Sequence, residues 1–390
     1  MKITDVRTIR LRAPLPLEGQ YCSRSGLRTF RGTVLVRVET DEGIVGFGSC
    51  SGNEAVVEAI IGRALKPALI GKDPLRMEEL WGNGCFASGF REHGSKAINA
   101  IALSGIDTAL WDILGKTNNL PVYELLGGKS RKSVRVYATA LYPEGTPEVV
   151  KKALAFVEKG FSAIKIKIGF DLAKDMEIVK AVRDALGKDF TLMADANMGY
   201  GIDAALKAAA VLEQCGVAWL EEPLFVGDIE GHAFLRSRSK VPIALGENLH
   251  ACSAFKQFIL RGAVDILQPD VARCGGISEA KKVAALAAAH GLPISLHTWG
   301  DAVALAASLH LTAALENSPV MELDCTSNPL RTELLKEPLE AQNGVMLPPK
   351  GPGLGIELSA DALQKYAYSG AERVVLPYLD LLADRPPGAS

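Results

Sequence analysis

The sequence predicts an α/β protein: a modified TIM barrel of the (β/α)7β kind, with an α+β capping domain at the N-terminus that the C-terminal tail completes. Three observations predict it. From Val134 onward, strand-like segments recur about every 25 to 30 residues, the length of one strand plus one helix. Six of them end in a charged or polar residue: "AIKIKIG" at Lys167, "TLMADAN" at Asp195, "VAWLEEP" at Glu221, "IALGEN" at Glu247, "VDILQPD" at Asp270 and "PISLH" at His297. The chain before Val134 follows another rhythm, strands first and helices after. These patterns divide the chain into a cap over residues 1–128, a barrel over 129–350 and a returning segment over 351–390.

Each element can be justified in order. "MKITDVRTIRLRAPL" alternates like a strand and lacks the apolar block of a signal peptide. "PLEGQYCSRSGLRTFRG" is a polar, glycine-containing loop. "TVLVRVETDEGIVGFGSC" alternates again, with Asp41, Glu42 and Gly43 as a tight hairpin turn. Residues 55–126 have helical periodicity and include "AINAIALSGIDTALWDILGK", closed by "LPVYELLGG". "VRVYATA" is the first barrel strand, the six segments above follow, and "PVMELD" is the eighth. Between them lie helices such as "DMEIVKAVRDALG", several stopped by a glycine (Gly187, Gly216, Gly262, Gly291). "GPGLGIELSADALQKY" is strand and helix again, and "DRPPGAS" has the composition of a disordered terminus.

Composition excludes several classes. The chain has 390 residues, 48% hydrophobic and 23% charged, with a formal net charge of −2. That suits a soluble globular protein and supplies no basic field for nucleic acid or an anionic membrane. No apolar run is read as long enough to cross a bilayer. The seven cysteines are scattered and form no CxxC, as expected of free thiols in a reducing cytoplasm.

Period-two alternation decides which side chains enter the barrel. Met193, Asp195 and Asn197 share a face, as do Trp219 and Glu221, and Leu245 and Glu247; Glu222 points the other way. Asp195, Glu221 and Glu247 therefore end three consecutive strands and can converge. Three close carboxylates cannot all stay ionised without a cation. A set of oxygen donors with no His or Cys favours a hard ion, Mg²⁺ first and Mn²⁺ second. Taken singly, each acid reads more readily as a helix cap or a lysine partner than as a ligand; three on successive strand ends reverse that.

In "AIKIKIG" the isoleucines face the helices and both Lys165 and Lys167 face inward. Mutual repulsion and burial should lower at least one pKa, which makes a lysine a competent base. Asp270 and His297 end adjacent strands, and a carboxylate on one imidazole nitrogen fixes the tautomer of the other. The two bases should flank a substrate from opposite sides of the ring. Glu322, in "VMELD", can either hydrogen-bond a substrate carboxylate or pair with Lys165. Tyr21, Arg24 and Arg28 are placed to meet hydroxyls or a distal carboxylate, with Arg91 and His93 as weaker candidates, and Trp299 beside His297 as an apolar wall.

This constellation resembles the enolase superfamily, specifically its mandelate racemase subgroup, over nearly the whole chain. "ALSGIDTALWDILGKTNNLPVYELLGG" is similar to a family signature, whereas "GFGSC" departs from the Trp and Glu common there. The resemblance implies Lys167 as the lysine base with Lys165 on the substrate carboxylate, and His297 with Asp270 as the histidine base and its partner. It implies Asp195, Glu221 and Glu247 as metal ligands and Glu322 as a carboxylate-binding residue. It implies Mg-dependent removal of the proton α to a carboxylate through an ene-diolate, by a homo-oligomer acting on a small carboxylate. The tail from "VMELDCTSNPL" to "GPGLGIEL" is similar to acid-sugar dehydratases and lactone cycloisomerases. β-Elimination from a sugar acid or its lactone is therefore the favoured outcome. Racemisation or epimerisation of a 2-hydroxy acid with the same two bases is the alternative. A barrel hydrolase would leave Lys165 and Lys167 without a role.

Overall fold

The computed structural model describes residues 1–23, 26–81, 96–128, 131 and 133–370. "DRPPGAS" lies outside them, as do Arg24, Arg91 and His93.

The N-terminal part is an antiparallel sheet of β1 (Ile3–Pro14), β4 (Phe30–Thr40) and β5 (Val45–Cys50), in the order β1-β4-β5. A short hairpin, β2 (Tyr21–Ser23) with β3 (Gly26–Arg28), stands in the loop between β1 and β4 and pairs Tyr21 with Arg28. The turn between β4 and β5 is the expected Asp41-Glu42-Gly43, with Gly43 at φ 77°. One face of the sheet is covered by the helix Lys96–Asn118. The glycines of "GFGSC" explain how closely: a Cβ at Gly48 would stand 1.9 Å from the Gly105 carbonyl oxygen, and one at Gly46 2.1 Å from that of Ala109. A larger residue at either position would push the helix off the strand.

That helix corrects one expectation. Ala97–Asn118 is long and apolar enough to cross a membrane by length and composition. Here 67% of its apolar window is buried inside the molecule, against the sheet and the helix Gly276–Ala289, so it is a core helix.

The second part is the barrel. Its strands are β6 (Val134–Leu141), β7 (Ala163–Lys167), β8 (Thr191–Asp195), β9 (Leu220–Glu221), β10 (Ile243–Leu245), β11 (Ile266–Leu267) and β12 (Met321–Asp324). They run parallel in the order β11-β10-β9-β8-β7-β6-β12. The segment expected as a seventh strand, "PISLH", is not a regular strand; it makes a single bridge, Leu267 to Ile294. It still closes the ring. Ser295 N–H donates to the Leu267 carbonyl at 2.9 Å, His297 N–H to Pro269 at 3.2 Å and Glu322 N–H to Leu296 at 3.2 Å. A helix follows each of the first seven positions, and among the described residues β12 is followed directly by only the four-residue helix Pro329–Thr332, which gives the (β/α)7β form. The expected glycines follow four of these helices.

Two apolar layers hold the barrel. Ile164, Ile166 and Ile168 join the layer between strands and helices. Tyr137, Ala163, Met193, Trp219 and Ala244 plug the interior below the mouth. β13 (Val345–Met346) pairs antiparallel with β6. Beyond it the chain returns to β1: Leu11 bridges Ala367, and Tyr368 N–H donates to the Arg10 carbonyl at 3.0 Å.

Candidate active site

The strand ends converge as alternation requires, with one exception. Lys165 and Lys167 enter from β7, Asp195 from β8 and Glu221 from β9, each above an inward residue of the interior plug. On β10 the expected pairing of Leu245 with Glu247 is wrong. Ala244 faces the interior and Leu245 the outer layer. Glu247 reaches the mouth because Gly246 breaks the alternation, at φ 148° and with its Cα face packed on the Gln268 backbone. Asn197 and Met198 just past β8, and Glu222 just past β9, also hold positive φ. Backbone in that region persists only where its surroundings impose it, and it gathers at sites.

Asp195, Glu221 and Glu247 are buried, and each offers an oxygen within 4.8 Å of the others. Lys165 Nζ lies 2.7 Å from Glu221 Oε1, 2.8 Å from Glu322 Oε1 and 3.3 Å from Asp195 Oδ2. Lys167 Nζ donates to Asp195 Oδ2 and, at 3.1 Å, to Asn197 Oδ1. On the far side of the trio, His297 Nδ1 donates to Asp270 Oδ2 at 2.6 Å, and Nε2 faces Glu247 Oε2 at 3.1 Å. Glu322 bridges the halves, since its Oε2 is 3.6 Å from His297 Nε2 and accepts from Thr298 N–H at 3.2 Å. Of the two readings of Glu322, the pairing with Lys165 is present here.

Crowding sets the titration. Burial, then Asp195, pushes Glu221 up to about 7. Burial would raise Glu247 as well, but His297 and Arg273 hold it well below the carboxylate range. Burial opposes the charge on Lys165, yet Glu221 and Glu322 outweigh it and raise its pKa well above the ordinary value. Lys167 is raised in the same way, burial opposing and Asp195 prevailing. Both lysine pKa values thus shift upward rather than falling as expected, because carboxylates outnumber the two ammonium groups around them. For His297, burial is likewise overcome by Glu247 and Glu322, and its pKa rises to about 10.

Several neighbours were not foreseen. Glu222, expected to point away, is buried and accepts from Asn248 Nδ2 at 2.8 Å, the same amide that reaches Glu247 Oε1 at 3.3 Å. Gln268 Nε2 donates to Glu221 Oε2 at 2.7 Å. Counting back two residues from Asp270 would have found Gln268; nothing in the pattern announces the turned backbone of Glu222.

The cap closes one side. Arg31, buried, reaches both the Tyr21 hydroxyl and Asp324, and its guanidinium lies 5.0 Å from the Trp299 ring. Lys167 Nζ is 5.4 Å from that same ring. Tyr21 and Trp299 thus stand beside the lysine side of the mouth, and Arg28 is exposed on the hairpin.

The donor set fits a hard divalent ion: three buried carboxylates share one small volume, and the cations near them are protein groups they must share.

Comparison with known proteins agrees with this geometry. Residues 11–127 match the family model for the mandelate racemase / muconate lactonizing enzyme N-terminal domain, and 148–362 the enolase C-terminal domain-like model. The chain is 42% identical to D-galactarolactone cycloisomerase of Agrobacterium fabrum over 382 residues, covering 94% of this chain and 99% of that protein. It is 36% identical to arabinonate dehydratase of Saccharolobus solfataricus, covering 85% and 90%. A solved enolase-superfamily structure from a Polaromonas species superposes with a TM-score of 0.90 at 35% identity, covering 96% of this chain and all of that one.

Proposed function

This chain belongs to the mandelate racemase / muconate lactonizing enzyme family of the enolase superfamily, and from that premise we propose that it is a Mg-dependent lyase or cycloisomerase of sugar acids or their lactones. The observation that carries the reading is one buried acid trio met by a lysine on one side and a carboxylate-paired histidine on the other.

Asp195, Glu221 and Glu247 would hold the ion, Mg²⁺ or its substitute Mn²⁺. When bound, it supplies positive charge that favours the extra negative charge a carboxylate takes on as its α-carbon loses a proton. The protein's own groups do the rest. Lys165, fixed among Glu221, Glu322 and Asp195, places a second positive charge at the carboxylate end. Lys167 Nζ or His297 Nε2 would remove the α-proton in its neutral form, according to the configuration presented to it, once the carboxylates that raise its pKa are engaged by the ion instead. Asp270 holds the imidazole so that Nε2, not Nδ1, faces the substrate. The electron pair left on the α-carbon forms a double bond to the β-carbon as the β C–O bond breaks. The departing oxygen takes a proton from the opposite base, and the enol product tautomerises to a 2-keto-3-deoxy acid. From a lactone the departing oxygen is that of the ring.

The compartment fits a metabolic enzyme of the cytoplasm, since the six described cysteines are free thiols.

A screen of aldonic, aldaric and lactone substrates with Mg²⁺ tests this. A 2-keto-3-deoxy acid should form, a chelator should stop it, and Mg²⁺ should restore it. Formation of epimers alone, with no keto acid, would establish the racemase reading instead.

A further inference from the structure

β6 carries a one-residue bulge. Its register with β7 runs Ala138 to Ile164 and Thr139 to Lys165, then skips to Leu141 with Ile166. A bulge reverses the faces presented by the residues after it and re-aims a side chain. Ala138 and Leu141 consequently both sit in the outer layer, and Tyr142 falls on the other face, where it meets Tyr21 and Trp299. Its ring lies 4.4 Å from Tyr21 and 6.3 Å from Trp299, the ring beside Lys167.

The two tyrosines differ in one respect. The Tyr21 hydroxyl accepts from Arg31 Nη1. Tyr142 is 6% exposed, yet its hydroxyl has no hydrogen-bond partner among the described residues. The residue is largely buried, but its hydroxyl keeps some contact with solvent, so a ligand atom can meet it there. Burial, despite Lys167, holds this phenol neutral and able to donate.

We propose that Tyr142 is a specificity-determining residue whose phenol hydrogen-bonds a hydroxyl or ring oxygen beyond the α-carbon of a sugar acid, on the Lys167 side of the mouth. This rests on the function proposed above and narrows its substrate class: acids with an oxygen at that position are selected, and plain 2-hydroxy acids are not.

The test compares Tyr142→Phe with wild type, both loaded with Mg²⁺, in calorimetric binding of a six-carbon aldonic acid and of lactate. The variant keeps the ring stack, so its thermal midpoint should not change. It should bind the aldonic acid about tenfold more weakly, the worth of one hydrogen bond in a buried site, and lactate with unchanged affinity. Tyr21→Phe, whose oxygen is already taken by Arg31, should alter both acids alike. Equal weakening of both acids by Tyr142→Phe, or of neither, would overturn the inference while leaving the proposed function standing. Wild type binding neither acid would overturn both.

Discussion

At the seam between cap and barrel, the buried groups Asp112, Asp107 and His310 are each answered by several partners. Asp112 accepts from Phe47 N–H at 2.9 Å, Leu354 N–H at 2.8 Å and Lys116 Nζ at 2.7 Å. Asp107 accepts from Trp81 Nε1 at 2.6 Å and Ser278 N–H at 2.9 Å. His310 stacks on Tyr123, accepts from the Tyr123 N–H at Nδ1 and donates from Nε2 to the Leu354 carbonyl at 3.0 Å. The barrel mouth obeys another rule. There Asp195, Glu221, Glu247 and Glu322 are pressed together around two lysines and one histidine, so like charges share partners. The seam uses polar groups to fix two parts in register. The mouth keeps them in a strained arrangement that suits a ligand, the usual relation between stability and function.

That contrast can be broken most sharply at Glu221. Glu221→Gln keeps the shape and an acceptor for Gln268 while removing one of the crowded charges. Turnover should fall roughly a thousandfold or more, the scale of losing charge stabilisation at a reacting centre. Without metal the variant should be no less stable than wild type in urea. Mg²⁺ should raise the midpoint of wild type but not of the variant. A large loss of metal-free stability would show that the mouth acids are structural.

The converse substitution is Asp112→Ala. It strands two backbone N–H groups and leaves the Lys116 ammonium only the Val45 carbonyl, and should cost about 3 to 4 kcal/mol by urea titration. The folded fraction should keep its turnover per molecule. A fall in specific activity at full folding would erase the distinction drawn here.

The two histidines provide a subtler probe. Burial lowers the pKa of His310 to about 4 against the opposing Leu354 hydrogen bond, and the neutral ring accepts from Tyr123 N–H at Nδ1. The unfolded chain, with an ordinary value near 6.5, binds that proton first. Stability from this residue is therefore present above the unfolded value and lost as pH falls from about 6.5 to 4, by up to about 3 kcal/mol. His310→Gln should flatten the pH dependence of urea midpoints in that window. An unchanged slope would mean that His310 is not the group responsible.

How much of this was legible depends on how local the signal is. The lysines of β7 and the acids of β8 and β9 follow strict alternation, so Lys165, Lys167, Asp195 and Glu221 could be placed from the chain alone. Glu247 was chosen for a wrong reason, since a glycine with left-handed φ, not alternation, turns it inward. Tyr142 was hidden by a bulge, and parity counted from Thr139 would have chosen Leu141 instead. "PISLH" read as a strand because its composition is that of one, yet its neighbours take its hydrogen bonds singly. The seam was illegible for another reason. Asp112 and Leu354 are 242 positions apart, and no periodicity relates them.

The most direct measurement is deuterium exchange at the α-carbon in D₂O, with Mg²⁺ present and both configurations of one sugar acid supplied separately. Lys167→Ala should abolish exchange from one configuration and His297→Asn from the other, each by about a hundredfold or more. Equal losses from both configurations in either variant would contradict two opposed bases acting across a shared acid trio.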